Sequence, residues 1–301
     1  MKITILGCYS ATPRKDKHTS SQLLEINGNI FLIDCGEGTQ MQLRKAKIKF
    51  NRLNDIFISH LHGDHFYGLI GLISTFRLTG RTKPLNIYGP QGIKEIITLQ
   101  LKLANSWTNY PLNFHELTSN FSQTIYEKDC ILVETLPLDH RVYTNGFLFT
   151  SRSSSRKINS TAIKELNLKP FHFDQLKNGF SIKLEDGTKI KNNELTFDPD
   201  KPKKYAYCSD TSYNRDLIPL IKKVDLLYHE STFLEKDIDL AEKTKHSTAM
   251  QAAKIAKEAK VKKLILGHYS SRYRDKKIFY NEATSIFKEV DLSEDFKTFL
   301  V

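Results

Sequence analysis

The sequence predicts an α/β fold of layered sheets and helices, and three observations carry that prediction. Short apolar strands alternate with amphipathic helical stretches along most of the chain. Several of those strands run into a histidine or an aspartate. One basic stretch, 150–202, interrupts the alternation without continuing it. The 301 residues are 40% hydrophobic and 11% aromatic, enough for a large core and unlike a compositionally disordered chain. A single domain over 1–301 with an inserted segment at 150–202 is therefore expected.

The elements follow in chain order. Lys2–Gly7 alternates and is rich in β-branched residues, the pattern of a strand. Gln22–Ile26 and Asn29–Asp34 flank Asn27-Gly28, a pair suited to a two-residue hairpin turn. Thr39–Ala46 reads as a short helix. Asp55–Ser59 is a short apolar strand ending at His60, and the apolar spacing of Phe66–Thr79 suits a helix laid on a sheet. Leu85–Tyr88 is a strand closed by Gly89-Pro90, followed by an amphipathic helix over Gly92–Ala104. Further strands include Ile131–Leu138. The inserted stretch holds Arg152, Arg156, Lys157, Lys164, Lys169, Lys177, Lys183 and Lys189 among Ser-rich and Gly-containing turns, and is expected to form a small substructure of its own. Strands resume at Lys204–Ser209 and Asp225–His229. A helix over Ser247–Ala259 and a strand over Lys263–Leu266 lead to Gly267-His268. Internal repeats and low-complexity tracts are absent from the sequence.

Lys and Arg number 45 against 34 Asp and Glu, a net charge of +11. That balance suits an anionic partner such as nucleic acid, although a generally Lys-rich composition also produces it. No apolar run approaches the 18 or so residues of a spanning helix, and the first residues lack the layout of a signal peptide. A cytoplasmic protein with no membrane partner is expected. Cys8, Cys35, Cys130 and Cys208 are widely spaced with no C-x-x-C pair, so they are expected as buried apolar residues rather than disulfides or metal ligands.

The chemistry concentrates in Ser59-His60-Leu61-His62-Gly63-Asp64-His65, directly after an apolar strand. Imidazole and carboxylate are ordinary ligands of divalent metals, and so many of them at one strand end would repel or desolvate badly without a cation. Gly63 is expected to let the backbone turn tightly there. Further ligand types stand just past other apolar strands: His140, Asp210 and His268. Sheet ends on one edge converge in space, so these positions can meet His60–His65.

These residues resemble the metallo-β-lactamase fold, an αββα sandwich, here with an inserted basic arm. The resemblance implies two zinc ions per subunit. His60, His62 and His140 would hold one, Asp64, His65 and His268 the other, and Asp210 would bridge both. The finer resemblance is to ribonuclease Z. It rests on Leu6-Gly7, Thr12-Pro13 and Ser20-Ser21, on Asp34-Cys35-Gly36-Glu37-Gly38-Thr39-Gln40, on His229-Glu230-Ser231-Thr232 and His246-Ser247-Thr248, and on His268-Tyr269-Ser270-Ser271-Arg272-Tyr273. His-Glu-x-Thr together with His-Ser-Thr separates that family from others of the fold. An RNA-binding scaffold with a degenerate site is disfavoured by the complete ligand set. A cyclic-nucleotide phosphodiesterase or a thioester or lactam hydrolase has no need of a basic arm.

What the resemblance implies is an endoribonuclease that removes the 3′ trailer from precursor tRNA, leaving a 3′-hydroxyl on the tRNA and a 5′-phosphate on the trailer. Two zinc ions about 3.5–4 Å apart supply a nucleophile at neutral pH and charge stabilisation. Asp64 would accept a proton. His246, oriented by Glu230, would donate one to the leaving oxygen, and Thr232 and Thr248 would fix their loops. Asp34 would tie the first sheet to the metal loop through hydrogen bonds. Arg152, Arg156, Lys157 and Arg272 would meet RNA phosphates. A homodimer is implied, each arm reaching RNA on the other subunit. The arm departs most from the family's pattern: a Gly-Pro-rich turn is replaced by Leu166–Asp174, which has one Pro and no Gly.

Overall fold

Alternation along the strands builds two seven-stranded sheets, each with one face towards a shared interior. The computed structural model describes residues 1–152, 155–199 and 201–301. The chain opens with an antiparallel meander, β1 (Lys2–Gly7), β2 (Ser21–Ile26) and β3 (Asn29–Ile33). Three parallel additions follow, β4 (Leu53–Phe57), β5 (Leu85–Pro90) and β6 (Leu112–Leu117). The second sheet begins with β7 (Thr124–Lys128), β8 (Ile131–Leu138) and β9 (Thr144–Ser151). The inserted stretch contributes β10 (Lys157–Ile158), β11 (Ile182–Lys183), β12 (Lys189–Ile190) and β13 (Thr196–Phe197). The second sheet then continues with β14 (Lys203–Cys208), β15 (Leu226–Glu230), β16 (Lys263–Gly267) and β17 (Val290–Leu292), parallel from β14 onwards. The chain closes on β18 (Thr298–Leu300), which returns to pair with β1 at the edge of the first sheet.

Side-chain alternation divides the apolar residues between two layers. Ile3, Ile5, Leu24, Phe31 and Phe57 face the second sheet's Phe147, Phe149, Tyr205 and Leu226. The opposite faces of the same strands, with Leu6, Leu23, Leu32, Ile56 and Ile58, take the helices Thr39–Lys45, Gly68–Leu78 and Ile93–Leu103 through Leu43, Leu72 and Ile97. The helices Ala249–Glu258 and Lys277–Thr284 cover the outer face of the second sheet with Ala252, Ile255 and Phe279. The result is helix, sheet, sheet, helix. Phe57 holds the interior together: its ring stacks on Tyr88 at 4.7 Å and meets Phe147 and Phe149 edge-on at 5.4 and 5.3 Å.

Local expectations meet the structure unevenly. Asn27 and Gly28 both take left-handed backbone (φ 49° and 80°), so the hairpin turn is of the expected kind. Asp129 and Cys130 make a similar turn (φ 51° and 60°) between β7 and β8. That turn puts Cys130 at the surface, against the expectation for all four cysteines; Cys8, Cys35 and Cys208 are buried. The helix expected over Phe66–Thr79 begins earlier as a separate turn, Gly63–Phe66, before Gly68–Leu78. Strand β5 does not close at Gly89-Pro90 but runs through it, because β6 pairs with it as far as Pro90 while β4 pairs only to Tyr88. Past Tyr88 a residue lacking N–H is tolerated on the unpaired flank.

Residues Ser151–Pro202 form a compact unit of their own. Within it β10 pairs with β13 and β11 with β12, and Leu176, Ile182 and Leu195 make a small core. Ser153 and Ser154 of the basic stretch 151–157 lie outside the described residues, as does Asp200.

Candidate metal centre

The strand ends converge as their order in the sheets requires. His60 follows β4, His140 follows β8, Asp210 follows β14 and His268 follows β16. His60, His62, His140 and Asp210 bring one ligand atom each within 4.8 Å of one another. His60 Nε2 lies 3.0 Å from His62 Nδ1, and His140 Nε2 lies 3.3 Å from the same atom. Asp64, His65 and His268 form a second such set. Their nearest atoms are 3.3–3.5 Å apart: His65 Nε2 to His268 Nε2 is 3.3 Å, and to Asp64 Oδ2 3.5 Å.

Asp210 faces both sets, and with different oxygens. Its Oδ2 is 3.5 Å from His60 Nε2 and 3.9 Å from His140 Nε2. Its Oδ1 is 3.4 Å from His65 Nε2 and 3.2 Å from His268 Nε2. Imidazole and carboxylate lone pairs are thus crowded around two points with nothing of opposite sign between them. The donor chemistry fits a divalent cation at each.

Hydrogen bonds on the far side of the rings fix which nitrogen points inward. His65 Nδ1 donates to Asp34 Oδ2 at 2.7 Å. His140 Nδ1 donates to the Lys245 carbonyl at 2.8 Å. Ser59 Oγ donates to Asp34 at 2.9 Å and so accepts from His60 Nδ1 at 3.0 Å. Thr232 Oγ1 donates to Glu230 at 2.6 Å and accepts from His268 Nδ1 at 2.9 Å. Each of these rings therefore presents a bare Nε2 to its set.

Asp34 is the hub of this outer ring, as the sequence anticipates. Fully buried, it accepts from the Ser59 amide and hydroxyl, from His65, and from the Tyr207 phenol at 2.7 Å across the two sheets. Its left-handed backbone (φ 56°) and that of His268 (φ 59°) turn each chain sharply at a strand end. Gly63 plays a different part from the one expected. Its φ is not positive, and it is needed for room, since a Cβ there would sit 2.3 Å from the Tyr67 ring.

At His60, His62 and His140 the electrostatics agree with ligation. Burial lowers the His60 pKa well below the ordinary range, and neighbouring imidazoles add to that; His62 and His140 are also lowered, chiefly by burial. Neutral imidazole is the form that binds metal. Burial also opposes charge on His65, but Asp210, Asp64 and Asp34 outweigh it and raise its pKa well above the ordinary value. Burial raises the Asp64 carboxyl, yet His65 and His268 win and hold it far below the carboxylate range.

Glu230 ends β15 fully buried with both oxygens engaged. Oε1 accepts from the Thr211 amide at 3.0 Å and His246 Nδ1 at 2.7 Å, and Oε2 accepts from the Thr232 amide and hydroxyl. Burial disfavours its charge, but His246 above all, with His268 and Thr232, holds its pKa down to about 2. Burial likewise disfavours protonated His246, and the Glu230 carboxylate reverses this, with Asp210 and Asp64 adding, so its pKa rises to about 9. The His246 ring lies 5.0 Å from His140 and 5.5 Å from His268, between the two sets.

A ribonuclease Z of Cytophaga hutchinsonii is 46% identical over 301 residues, covering 100% of this chain and 96% of that protein. The chain belongs to the ribonuclease Z family. Among solved structures, the short form of human tRNase Z is 28% identical, with 100% of this chain and 99% of that one covered and a TM-score of 0.73. The metallo-β-lactamase fold protein YhfI of Bacillus subtilis is 20% identical, with 99% coverage of both chains and a TM-score of 0.70, a likeness of fold. A family model described as Anti-Pycsar protein Apyc1 matches residues 1–140, the part that carries His60–His65 and His140 but not Glu230, His246 or His268.

The family's two distinguishing motifs have separate tasks here. His229-Glu230-Ser231-Thr232 supplies the Glu230 carboxylate and the Thr232 relay to His268, while His229 is fully buried with Nδ1 bonded to the Glu230 carbonyl. Thr248 does fix its loop: it caps the helix Ala249–Glu258 and bonds Glu235. The cations assigned to RNA fall in both units. Arg272 is exposed. Arg152 and Lys157 are exposed within the inserted unit, and Arg156, half-buried, bonds Asp198 and, at 2.7 Å, Thr196 Oγ1. Sequence reasoning gave Ser59 no role of its own and missed Tyr207, Lys245 and the Ala11 amide, which donates to Asp64 Oδ2 at 2.7 Å. Only the alternation of β14, which puts Tyr207 on the face of Tyr205, hinted at any of them. His18, His115 and His172 stay outside the centre: His18 bonds Asp295, His115 stacks on Tyr88, and His172 accepts from the Lys169 amide at a helix start.

Proposed function

We infer that this chain is a metal-dependent endoribonuclease that cuts the 3′ trailer from precursor tRNA, with two zinc ions in the centre described above. The observation that carries the reading is Asp210 with one oxygen turned to each donor set, beside the His246–Glu230 pair. A tetrahedral zinc with ligands about 2.0–2.1 Å away spaces those ligands roughly 3.3 Å apart, close to the spacing seen within both sets. His60, His62, His140 and Asp210 would hold one ion, and Asp64, His65, His268 and Asp210 the other. Bound there, the pair supplies Lewis acidity towards the phosphate and acidifies water.

The remaining work falls to side chains. Asp64 stays ionised at every working pH and takes the proton of the attacking water. His246 is anchored through Nδ1, which leaves Nε2 to protonate the departing 3′ oxygen. The phosphorus–oxygen bond to the tRNA 3′ carbon side breaks, so the tRNA keeps a 3′-hydroxyl and the trailer a 5′-phosphate. Glu230 positions His246 and keeps it charged. Arg152, Lys157 and Arg272 would meet backbone phosphates, with Arg156 acting by holding the inserted unit in shape. The family membership supports a cytoplasmic homodimer as the working form. Asp64→Ala tests the assignment: cleavage of a 3′-extended precursor tRNA should vanish while binding of that RNA stays nearly intact. Full cleavage by the variant would remove Asp64 from the reaction.

A further inference from the structure

A cavity of about 690 Å³ lies away from the metal centre, at the opposite end of the first sheet. It opens where the chain enters β4 and β5, whereas the loop that carries His60–His65 leaves the other end of β4. Leu53 at the cavity end and His60 at the metal end are seven residues apart, so roughly 20 Å of extended chain separates the two.

The lining is charged in one sign. Arg44, Lys47, Lys49, Arg81 and Lys83 contribute to the wall, and no carboxylate does. Arg44, Lys47, Lys49 and Lys83 make no ion pair among the described residues. Arg44 stands in the last turn of its helix, where a cation complements the carbonyl end. That accounts for Arg44 but not for the three lysines, which sit beyond helices.

Arg81 forms the floor. It is buried, and its guanidinium is consumed by neutral acceptors: the carbonyls of Leu53, Lys83 and Pro84 and the Asn54 amide oxygen, at 2.6–3.0 Å. Its hydrogen bonds are therefore met by neutral groups, while its charge lies over the Phe76 and Tyr110 rings at 5.0 and 5.5 Å and feels Asp55. With no carboxylate in the wall, the basic side chains that line the cavity leave a positive potential in it. Ile48 and Phe50 add an apolar wall, with the Arg44 guanidinium 5.2 Å above the Phe50 ring.

We propose that this cavity binds a small phosphorylated molecule with a flat apolar body, of nucleotide size. Its volume falls within the range of small-ligand sites, about 300–1,000 Å³. A concave site of this kind favours a compact anion over the backbone of an RNA duplex. Phosphate would sit among Lys47, Lys49 and Lys83, and the flat body along Ile48 and Phe50.

AMP is the probe, added to the metal-loaded chain, with adenosine and inorganic phosphate beside it. Hydrogen exchange of backbone amides locates binding directly, which separates this cavity from the metal centre. AMP should protect segments 47–51 and 79–83, inorganic phosphate should protect them more weakly, and adenosine should not. Lys49→Glu and, separately, Lys47→Glu should weaken the AMP effect by roughly tenfold or more while leaving precursor cleavage without AMP unchanged. No protection of these segments by AMP or phosphate would overturn the proposal, as would equal protection by adenosine. Protection by precursor RNA alone, with cleavage impaired in both variants, would overturn it by assigning the surface to the RNA backbone.

Discussion

Replacing Glu230 by Gln keeps the shape of the pair with His246 and removes its charge, and the consequence can be worked out. His246 stands at about 9, against an ordinary 6.5, because the Glu230 carboxylate outweighs burial. A raised pKa of this sign keeps the proton on below the folded value and loses it as pH rises through about 9. The proton donor is thus loaded across the neutral range, and cleavage should fall only on the alkaline side. Without the carboxylate, burial is opposed only by Asp210 and Asp64, and the ring falls back towards the ordinary 6.5. At pH 8 the protonated fraction drops from about nine-tenths to about three-hundredths, roughly a thirtyfold loss of kcat/KM. At pH 6 the loss should be only a few-fold, since much of the ring is then protonated in either protein. The assay is cleavage of a 3′-extended precursor tRNA over a pH series, with both proteins at full metal content. An alkaline limb that stays near pH 9 in Glu230→Gln would refute the role given to this pair.

The same pair affects folding. Its histidine contributes stability that is complete below the ordinary His pKa and lost as pH rises through about 9, and Glu230 contributes stability that is lost as pH falls towards about 2; Glu230→Gln should flatten both limbs of midpoint against pH in denaturant titrations. Asp34→Asn keeps the left-handed turn but cannot accept from all its donors, and should weaken metal affinity about 10–100-fold in a chelator competition; unchanged affinity would contradict its place as hub. Phe57→Ala empties the space between the sheets and should cost about 3–5 kcal/mol in urea unfolding; a loss under 1 kcal/mol would mean that the aromatic cluster closes the gap. Paired reversals at Arg152 and Lys157 should weaken precursor tRNA binding and reduce its salt dependence, read from binding at several salt concentrations; affinity unchanged at every salt would exclude that surface from RNA contact.

The metal-ligand types were legible because strand ends are. A run such as Asp55–Ser59 is recognised by its apolar residues, and whatever polar group follows it stands at the sheet's edge. Asp34 was legible for the same reason. What the sequence hides is pairing between distant segments. Val290–Leu292 and Thr298–Leu300 are three residues each and carry no pattern of their own; they are strands because β16 and β1 offer them open edges. Tyr207 reads as one more strand residue, and its bond to Asp34 exists only because two sheets face each other. Arg156 shows the converse. Its sequence neighbourhood looks like a basic surface, yet Asp198, more than forty residues on, claims its charge for the inserted unit's own structure.

The measurement that bears most directly on the central reading is cleavage of a 3′-extended precursor tRNA by the purified chain, with the product ends mapped and a chelator control alongside. The account predicts a single chelator-sensitive cut at the base of the trailer, with a 3′-hydroxyl on the tRNA and a 5′-phosphate on the released fragment. An intact precursor, from protein that is metal-loaded and still hydrolyses a small phosphodiester, would contradict it.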